Sequence, residues 1–305
     1  MQRSNKINAS SLCHFTKKFD TLQNIVRNGI RFSFAFEKLS PEIIANFEFP
    51  SNPQLISHIY ENAGVAIPMV SFCDIPITRA ADHITKYGQY MIGLDKDVII
   101  DLYNEIINPV LYLHSTNIHK AFDDIACAYA EATKQQMQEA IKRGQGIKNF
   151  TQKVAEEIAE EIIKECPYHN RKFNAQFMVG LSKPYYNKDR KVCYYDEREW
   201  RAFWPDGIGE ETDWKWGITY EDYLSNRNDW NKDLTSDKTN YITIPEVSLH
   251  YGITHIVVKN DDQIPKMIDL IMRSKTIFGQ SNVSQKERLI LVSKITSLER
   301  IAKDY

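Results

Sequence analysis

Residues 192–204 read VCYYDEREWRAFW, and this mixture of aromatic, apolar and charged residues predicts a β-strand. Successive side chains of a strand point to opposite faces of its sheet. The alternation predicts Glu197, Glu199 and Arg201 on one face and Trp200 in the core on the other. Two carboxylates two residues apart then stand about 6.5–7 Å apart along the strand.

Such a pair of carboxylates has two interpretations. Repulsion between the like charges raises the pKa of at least one of them, unless Arg201 or a bound cation compensates. A pair of this kind suits a reaction that develops positive charge, above all glycosyl-type cleavage through an oxocarbenium-like transition state. The alternative is a solvated edge strand in which Glu and Arg side chains form ordinary ion pairs. The spacing is compatible with both.

The composition is that of a globular protein with a large core. The 305 residues are 43% hydrophobic and 26% charged, which excludes a disordered or collagen-like chain. A net charge of -2 provides no overall basic field for nucleic acid or anionic lipid. We interpret the five cysteines, an odd number in apolar stretches, as reduced core thiols. With no secretory signal and no run of about 18 apolar residues, we expect a cytoplasmic protein that does not bind membranes.

The order of predicted elements indicates a single α+β domain over residues 1–305. Residues 115–170 have a helix-forming composition and predict a helical hairpin inserted between two β-rich halves. A helix is predicted after Asp20 and another at Ile264–Arg273. Strands are predicted at 11–16, 65–72, 87–94, 108–113, 192–204, 254–259 and 289–294.

Several motifs, taken in order, resemble the AbiGi type of bacterial abortive-infection proteins. They are SLCHFT at 11–16, SFCDIP at 71–76, His83 with Tyr87 and Gly88, NPV at 108–110 and YDEREWR at 195–201. AbiGi-type proteins are often described as the antitoxin half of a two-gene system. The resemblance therefore implies phage defence and a toxin as partner protein.

The same order of motifs is distantly similar to that of ADP-ribosyltransferases, which have a leading residue, a central strand and a late Glu-x-Glu strand. This similarity implies a split β-sheet core around a cleft, and NAD bound as substrate without a metal. It implies that Glu199 hydrogen-bonds the nicotinamide ribose and stabilises the oxocarbenium ion. Glu197 would orient or deprotonate the acceptor, for which a protein, a nucleic acid and water stay open.

The same similarity implies the residues that bind NAD. His14 would contact the adenosine-side ribose or hold the dinucleotide, and Ser71 would lie on the strand under the nicotinamide pocket. Tyr87 or Tyr90 would stack on the nicotinamide ring. The pattern is mixed, because a leading His usually accompanies a central Tyr, whereas Glu-x-Glu usually accompanies a leading Arg and a central Ser. His14 is also compatible with a hydrogen-bonded histidine of the core.

Other candidate sites are weaker. Cys166 and His169 have a ligand-like spacing, but zinc requires a second close pair, which the sequence lacks. Trp214 and Trp216 could form a platform for a base or peptide, or a protein interface. The basic run 183–191, with two interleaved tyrosines, is a candidate nucleic-acid contact or a solvated loop.

Three functions remain open at this point. The first is an NAD-dependent ADP-ribosyltransferase-like enzyme of phage defence that modifies a macromolecule. The second is a non-catalytic antitoxin or sensor that binds a partner protein. The third is a glycosidase or nucleosidase that uses the same carboxylates. Glycine loops of nucleotide hydrolases and dehydrogenases and the nucleophile elbow of serine hydrolases do not occur in the sequence.

Overall fold

A computed structural model describes residues 9–38, 63–79, 81–104, 106–114, 124, 142, 180–187, 192–203, 214–234 and 240–304. These residues form fifteen strands and eight α-helices, interspersed along the chain. The α+β class is therefore confirmed. The helical hairpin expected at 115–170 lies outside the described ranges. Within those ranges, every helix is too short or too polar to cross a lipid bilayer.

Nine of the described strands form one main sheet. In spatial order these are β15 (Ile295–Ser297), β14 (Ile253–Val258), β5 (Tyr90–Asp95), β1 (Ser11–Thr16), β4 (Ala63–Cys73), β11 (Glu199–Phe203) and β6 (Ile107–Pro109), with β3 (Ser33–Lys38) and β12 (Lys215–Thr219) also paired to β4. The pairs are antiparallel except β14 with β15. Because these strands join in one sheet, the expected division into two half-sheets of an ADP-ribosyltransferase-like core is not confirmed.

Six short strands pair outside the main sheet. They are β2 (Ile30–Arg31) with β13 (Tyr241–Ile242), β7 (Leu111–Leu113) with β8 (Ser182–Pro184), and β9 (Tyr186–Asn187) with β10 (Val192–Cys193). The helices are α1 (Phe19–Asn28), α2 (Ala81–Tyr87), α3 (Lys96–Leu102), α4 (Tyr220–Asp233), α5 (Leu249–Gly252), α6 (Ile264–Arg273), α7 (Gln285–Val292) and α8 (Leu298–Asp304).

The main core lies on the face of the sheet that α1 and α6 cover. Leu12, Phe72 and Ala202 from three neighbouring strands belong to it, and all are fully buried. Helix α1 contributes Leu22, Ile25 and Val26, whose spacing of three and four residues places them on one side of the helix. Gly29 ends α1 with φ of 95°, where a Cβ atom would lie 2.4 Å from the Ile242 carbonyl oxygen.

Several predicted elements are confirmed, and three are wrong. Residues 108–113, predicted as one strand, are divided between β6 and β7, which belong to different sheets. Strands β1, β4 and β14 and helix α6 lie where the sequence patterns predicted them. Residues 289–294 were predicted as a strand, but 289–292 belong to α7, which a capping box of Ser284 and Glu287 initiates. Residues 192–204 are not one strand, because a 3₁₀ turn at Tyr194–Glu197 separates β10 from β11.

Candidate functional site

The two predicted catalytic acids meet through a turn and not through strand alternation. Glu197 ends the 3₁₀ turn, Arg198 follows with a left-handed backbone (φ 42°), and Glu199 begins β11. The Lys183 ammonium group donates to Glu197 Oε2 at 2.6 Å and to Glu199 Oε2 at 3.1 Å. The two acids therefore lie close together, and Lys183 on β8 bridges their carboxylates.

Arg201 is the centre of this site and is only 1% exposed. Its Nε donates to Glu199 Oε1 at 2.9 Å, and its Nη2 donates to Glu199 Oε2 at 3.2 Å. Nη2 also donates to Glu37 Oε1 at 2.9 Å, and Nη1 donates to the Gly180 carbonyl oxygen at 2.5 Å. A single guanidinium group thus ties β11 to β3 and to residue 180.

The ion pair between Arg201 and Glu37 requires the sheet to be curved. Arg201 lies opposite Ser71 on β4, whereas Glu37 lies opposite Val65, six residues away. Six residues of extended strand span about 20 Å, more than two side chains bridge across a flat sheet. Strand β4 therefore curls toward this side, and the network of charged groups occupies the concave face of the sheet.

Among the residues that the structure describes, six charged side chains form this network, three acidic and three basic. They are Glu37, Glu197, Glu199, Lys86, Lys183 and Arg201. Their formal charges sum to zero when all are ionised. The network reaches solvent through Lys86, whose side chain is 49% exposed, and through Glu37, which is 29% exposed. The concave face is thus a charge-balanced cluster with two solvent-facing ends.

The pKa values follow from this pairing. Burial alone would raise the pKa of Glu199, but the charges of Arg201 and Lys183 outweigh burial and lower the pKa to about 2. Burial likewise opposes ionisation of Glu197, and Lys183 together with hydrogen bonds from Lys86 and Tyr87 lowers its pKa. Both acids are therefore ionised at neutral pH and accept hydrogen bonds from cations.

Two further predicted residues lie on the concave face with the acids. Tyr87 at the end of α2 hydrogen-bonds Glu197, and burial followed by the Glu197 charge raises the pKa of its phenol. Ser71 lies directly opposite Arg201 in the strand register, which places both side chains on the same face. The Ser71 hydroxyl donates to the Met69 sulfur at 3.7 Å.

The other two predicted residues lie on the opposite, core-side face. The His14 Nδ1 is 2.9 Å from the Ser71 carbonyl oxygen, and its ring lies 6.0 Å from that of Phe72. Burial lowers the pKa of His14, which favours the neutral imidazole. Tyr90 packs against Phe19 at 5.7 Å and accepts a hydrogen bond from the Gln263 amide at 3.1 Å. The sheet therefore separates His14 and Tyr90 from Glu199, and their predicted contacts with NAD stay predictions.

Several residues of the site were not predicted. Glu37 lies in a stretch without a sequence motif, Lys86 lies inside the motif of His83 and Tyr87 without being predicted as a site residue, and Lys183 was predicted only as part of a basic run. The Tyr112 hydroxyl accepts a hydrogen bond from the Glu199 backbone N–H at 2.7 Å. These partners come from four different elements, so no local pattern identifies them.

Of the other candidate sites, the described residues bear on the Trp214 platform and on Lys183 of the basic run, which pairs with the two acids. Trp214 is buried against Phe203, with ring centroids 5.5 Å apart, so it belongs to the packing and not to an open platform. In the part of the chain that the structure describes, no three His, Cys, Asp or Glu side chains could hold a metal ion together. Cys166 and His169 lie outside that part.

Comparison with known proteins identifies the class as abortive phage resistance. A family model described as "Putative abortive phage resistance protein AbiGi, antitoxin" matches residues 56–236. A curated relative from Lactococcus lactis subsp. cremoris, named "Abortive phage resistance protein AbiGi", is 24% identical over 269 residues, which are 84% of this chain and 97% of the relative. No solved structure matches the chain. Because the family model covers more than half of its length, this chain belongs to the AbiGi family, and this membership supports a role in defence against phage.

Proposed function

We propose that this chain is the antitoxin of a two-gene abortive-infection system, and that it neutralises a toxin by binding it and not by catalysis. The observation that carries the proposal is the full pairing of the two acids expected to be catalytic. The family description as antitoxin supports the same function.

The pairing of Glu199 leaves little capacity for chemistry. Its Oε1 accepts from Arg201, and its Oε2 accepts from both Arg201 and Lys183. A carboxylate that stabilises an oxocarbenium ion must direct its charge at the substrate. Here two protein cations already neutralise that charge. Breaking a buried ion pair by withdrawing one partner is costly, since the other charge is left uncompensated.

A surface suited to binding a protein partner is present elsewhere on the molecule. Val247, Tyr251 and Leu289 are each more than half exposed. Tyr251 lies on α5, Val247 precedes that helix, and Leu289 lies on α7, which packs against α5. Exposed apolar side chains on adjoining elements are candidates for an interaction surface. We call these three residues the apolar surface.

The test is co-expression of the chain with the product of its neighbouring gene. We expect the wild type to relieve the toxicity of that product and to be recovered with it in a pull-down. The substitutions Tyr251→Glu and Leu289→Glu should weaken both effects, because burying a charge in an apolar interface is costly. The matched control is Leu224→Glu, at an exposed leucine on α4 away from the apolar surface. A wild type that neither relieves toxicity nor forms a complex would disprove the proposal.

An ADP-ribosyltransferase with NAD as substrate is the second candidate. One observation favours it: Glu197, Glu199, Tyr87 and Ser71 share the concave face. In this case NAD would enter that face, and Lys183 would move away from Glu199. Labelled NAD incubated with the protein and cell lysate should then label a macromolecule, and Glu199→Gln should abolish the labelling. Absence of label transfer and of NAD loss, with infected and uninfected lysate alike, would eliminate this candidate.

A further inference from the structure

Two cysteines face each other across the centre of the main sheet. Cys13 on β1 and Cys73 on β4 are direct partners in the antiparallel register. Direct partners point to the same face, with Cα atoms about 4.5–5.5 Å apart. A disulfide needs a Cα separation of about 4.4–6.8 Å. The backbone therefore already has the spacing of a cross-strand disulfide, although both thiols are free.

The pair is closed off from solvent, and its neighbours are apolar except for Glu199, which lies opposite Cys73 in the strand register. Cys13 is 2% exposed and packs with Met91 and Val257, whereas Cys73 is 8% exposed and packs with Ile75. Burial raises the pKa of the Cys13 thiol to about 12 and also raises that of Cys73. Few thiolates therefore exist at neutral pH, and only a small reagent reaches the pair.

We propose that Cys13 and Cys73 form a redox pair, which a small peroxide converts into a reversible cross-strand disulfide. Cys73 reacts first because it is the more exposed of the two. The pair borders the ionic network at Glu199 without being part of it, and the proposal does not depend on the proposed function.

The reaction balances with one peroxide for each pair. The Cys73 sulfur attacks one peroxide oxygen, so that an S–O bond forms, the O–O bond breaks and the first water leaves with the thiol proton. The Cys13 sulfur then attacks the Cys73 sulfur of the resulting sulfenic acid. The S–S bond forms, the S–O bond breaks, and the second water leaves with the Cys13 proton. Two electrons have passed from the two sulfurs to the peroxide.

The disulfide should be easily reduced and should affect the neighbouring site. Direct partners in a sheet have Cβ atoms about 4.5–5.5 Å apart, whereas a disulfide brings them to about 3.5–4.5 Å. Closing the bond pulls β4 toward β1, and strain of this kind makes a disulfide more reducible. Glu199 lies opposite Cys73 on the other edge of β4. Oxidation of the pair is therefore mechanically linked to the ionic network.

The test uses a variant in which Cys127, Cys166 and Cys193 are replaced by Ser, so that only the pair remains. Hydrogen peroxide at pH 8 should lower the intact mass by about 2 Da, the loss of two hydrogens on disulfide formation, and dithiothreitol should reverse this change. Peptide mapping should recover a peptide that links residues 13 and 73. Oxidation should be about tenfold slower at pH 7, because the thiolate fraction falls tenfold for each pH unit below the pKa.

The matched control carries Cys73→Ser in addition and should gain oxygen atoms without losing two hydrogens. The same peptide map of the peroxide-treated wild type tests the pair even if the variant does not fold. Thiols that remain fully alkylatable when the peroxide-treated protein is unfolded in denaturant would overturn the proposal. Separate oxidation of each thiol, or linkage of either one to another cysteine, would overturn it as well.

Discussion

The two faces of the main sheet around β4 and β11 are both buried, but one is stabilised by apolar packing and the other by ion pairs. One face buries Leu12, Phe72 and Ala202 in an apolar core. The other buries Arg201 and Glu199, together with further charged groups, in an ionic network. Burial of apolar area stabilises the first face directly. The second face is stable only while each buried charge keeps its partner.

Because of this difference, substitutions on the two faces should change the free energy of unfolding with different dependences on pH. Loss of an apolar side chain leaves a cavity, whose effect on the free energy of unfolding changes little with pH. Loss of a charged side chain leaves its partners buried and unpaired, and the effect depends on their protonation. The predictions below test this contrast.

The largest effect is expected for Arg201→Ala. The substitution leaves Glu199 and Glu37 without their buried cation and should lower the free energy of unfolding by about 4 kcal/mol. Urea unfolding followed by circular dichroism measures the change. Arg201→Lys keeps the charge but not the planar fork, so it should cost less. A loss below about 1 kcal/mol for Arg201→Ala, the value of a surface ion pair, would show that the network does not stabilise this face.

A smaller loss, about 3 kcal/mol, is expected for Leu12→Ala on the apolar face. Leu12 is fully buried, so the substitution removes buried apolar volume and leaves a cavity. The loss should be the same at pH 7 and pH 4 in urea unfolding, because the cavity contains no titratable group. A loss that changes by more than about 1 kcal/mol between these pH values would break the contrast between the faces.

The smallest effect concerns the pH dependence of the ionic face. The pKa of Glu199 is about 2 in the folded chain and near 4.5 when unfolded. Its stabilising contribution of about 3 kcal/mol is present above pH 4.5 and is lost as the pH falls toward 2, and about 2 kcal/mol of it is lost between pH 6 and pH 3. Glu199→Gln should therefore be less stable than the wild type at pH 7, and the two should converge at acid pH. If the unfolding free energies of the wild type and of Glu199→Gln differed by the same amount from pH 6 to pH 3, this result would contradict the lowered pKa of Glu199.

The sequence predicted those parts of the fold that depend on local patterns. Strand β4 is a continuous apolar run, and α6 has apolar residues at helical spacing, so both were predicted correctly. The short apolar run at 289–292 predicts a strand by itself, but the capping box at Ser284 and Glu287 begins a helix, α7, that includes this run.

The candidate site was only partly predictable. Proximity of Glu197 and Glu199, and compensation by Arg201, follow from their closeness in the sequence. The turn between the acids does not, because Arg198 adopts the left-handed conformation that usually signals glycine or asparagine. Lys183 and Glu37 reach the site from distant strands, and their pairing depends on the curvature of β4, which no local pattern encodes.

The central claim is that Glu199 belongs to a stabilising ion-pair network of a protein that acts by binding. The most direct measurement is relief of the partner's toxicity by Glu199→Gln, at a temperature where circular dichroism shows the variant to be folded, together with NAD consumption by the wild type. We predict that the variant relieves toxicity as well as the wild type and that the wild type consumes no NAD. A folded variant that fails to relieve toxicity, alongside a wild type that consumes NAD, would contradict the account.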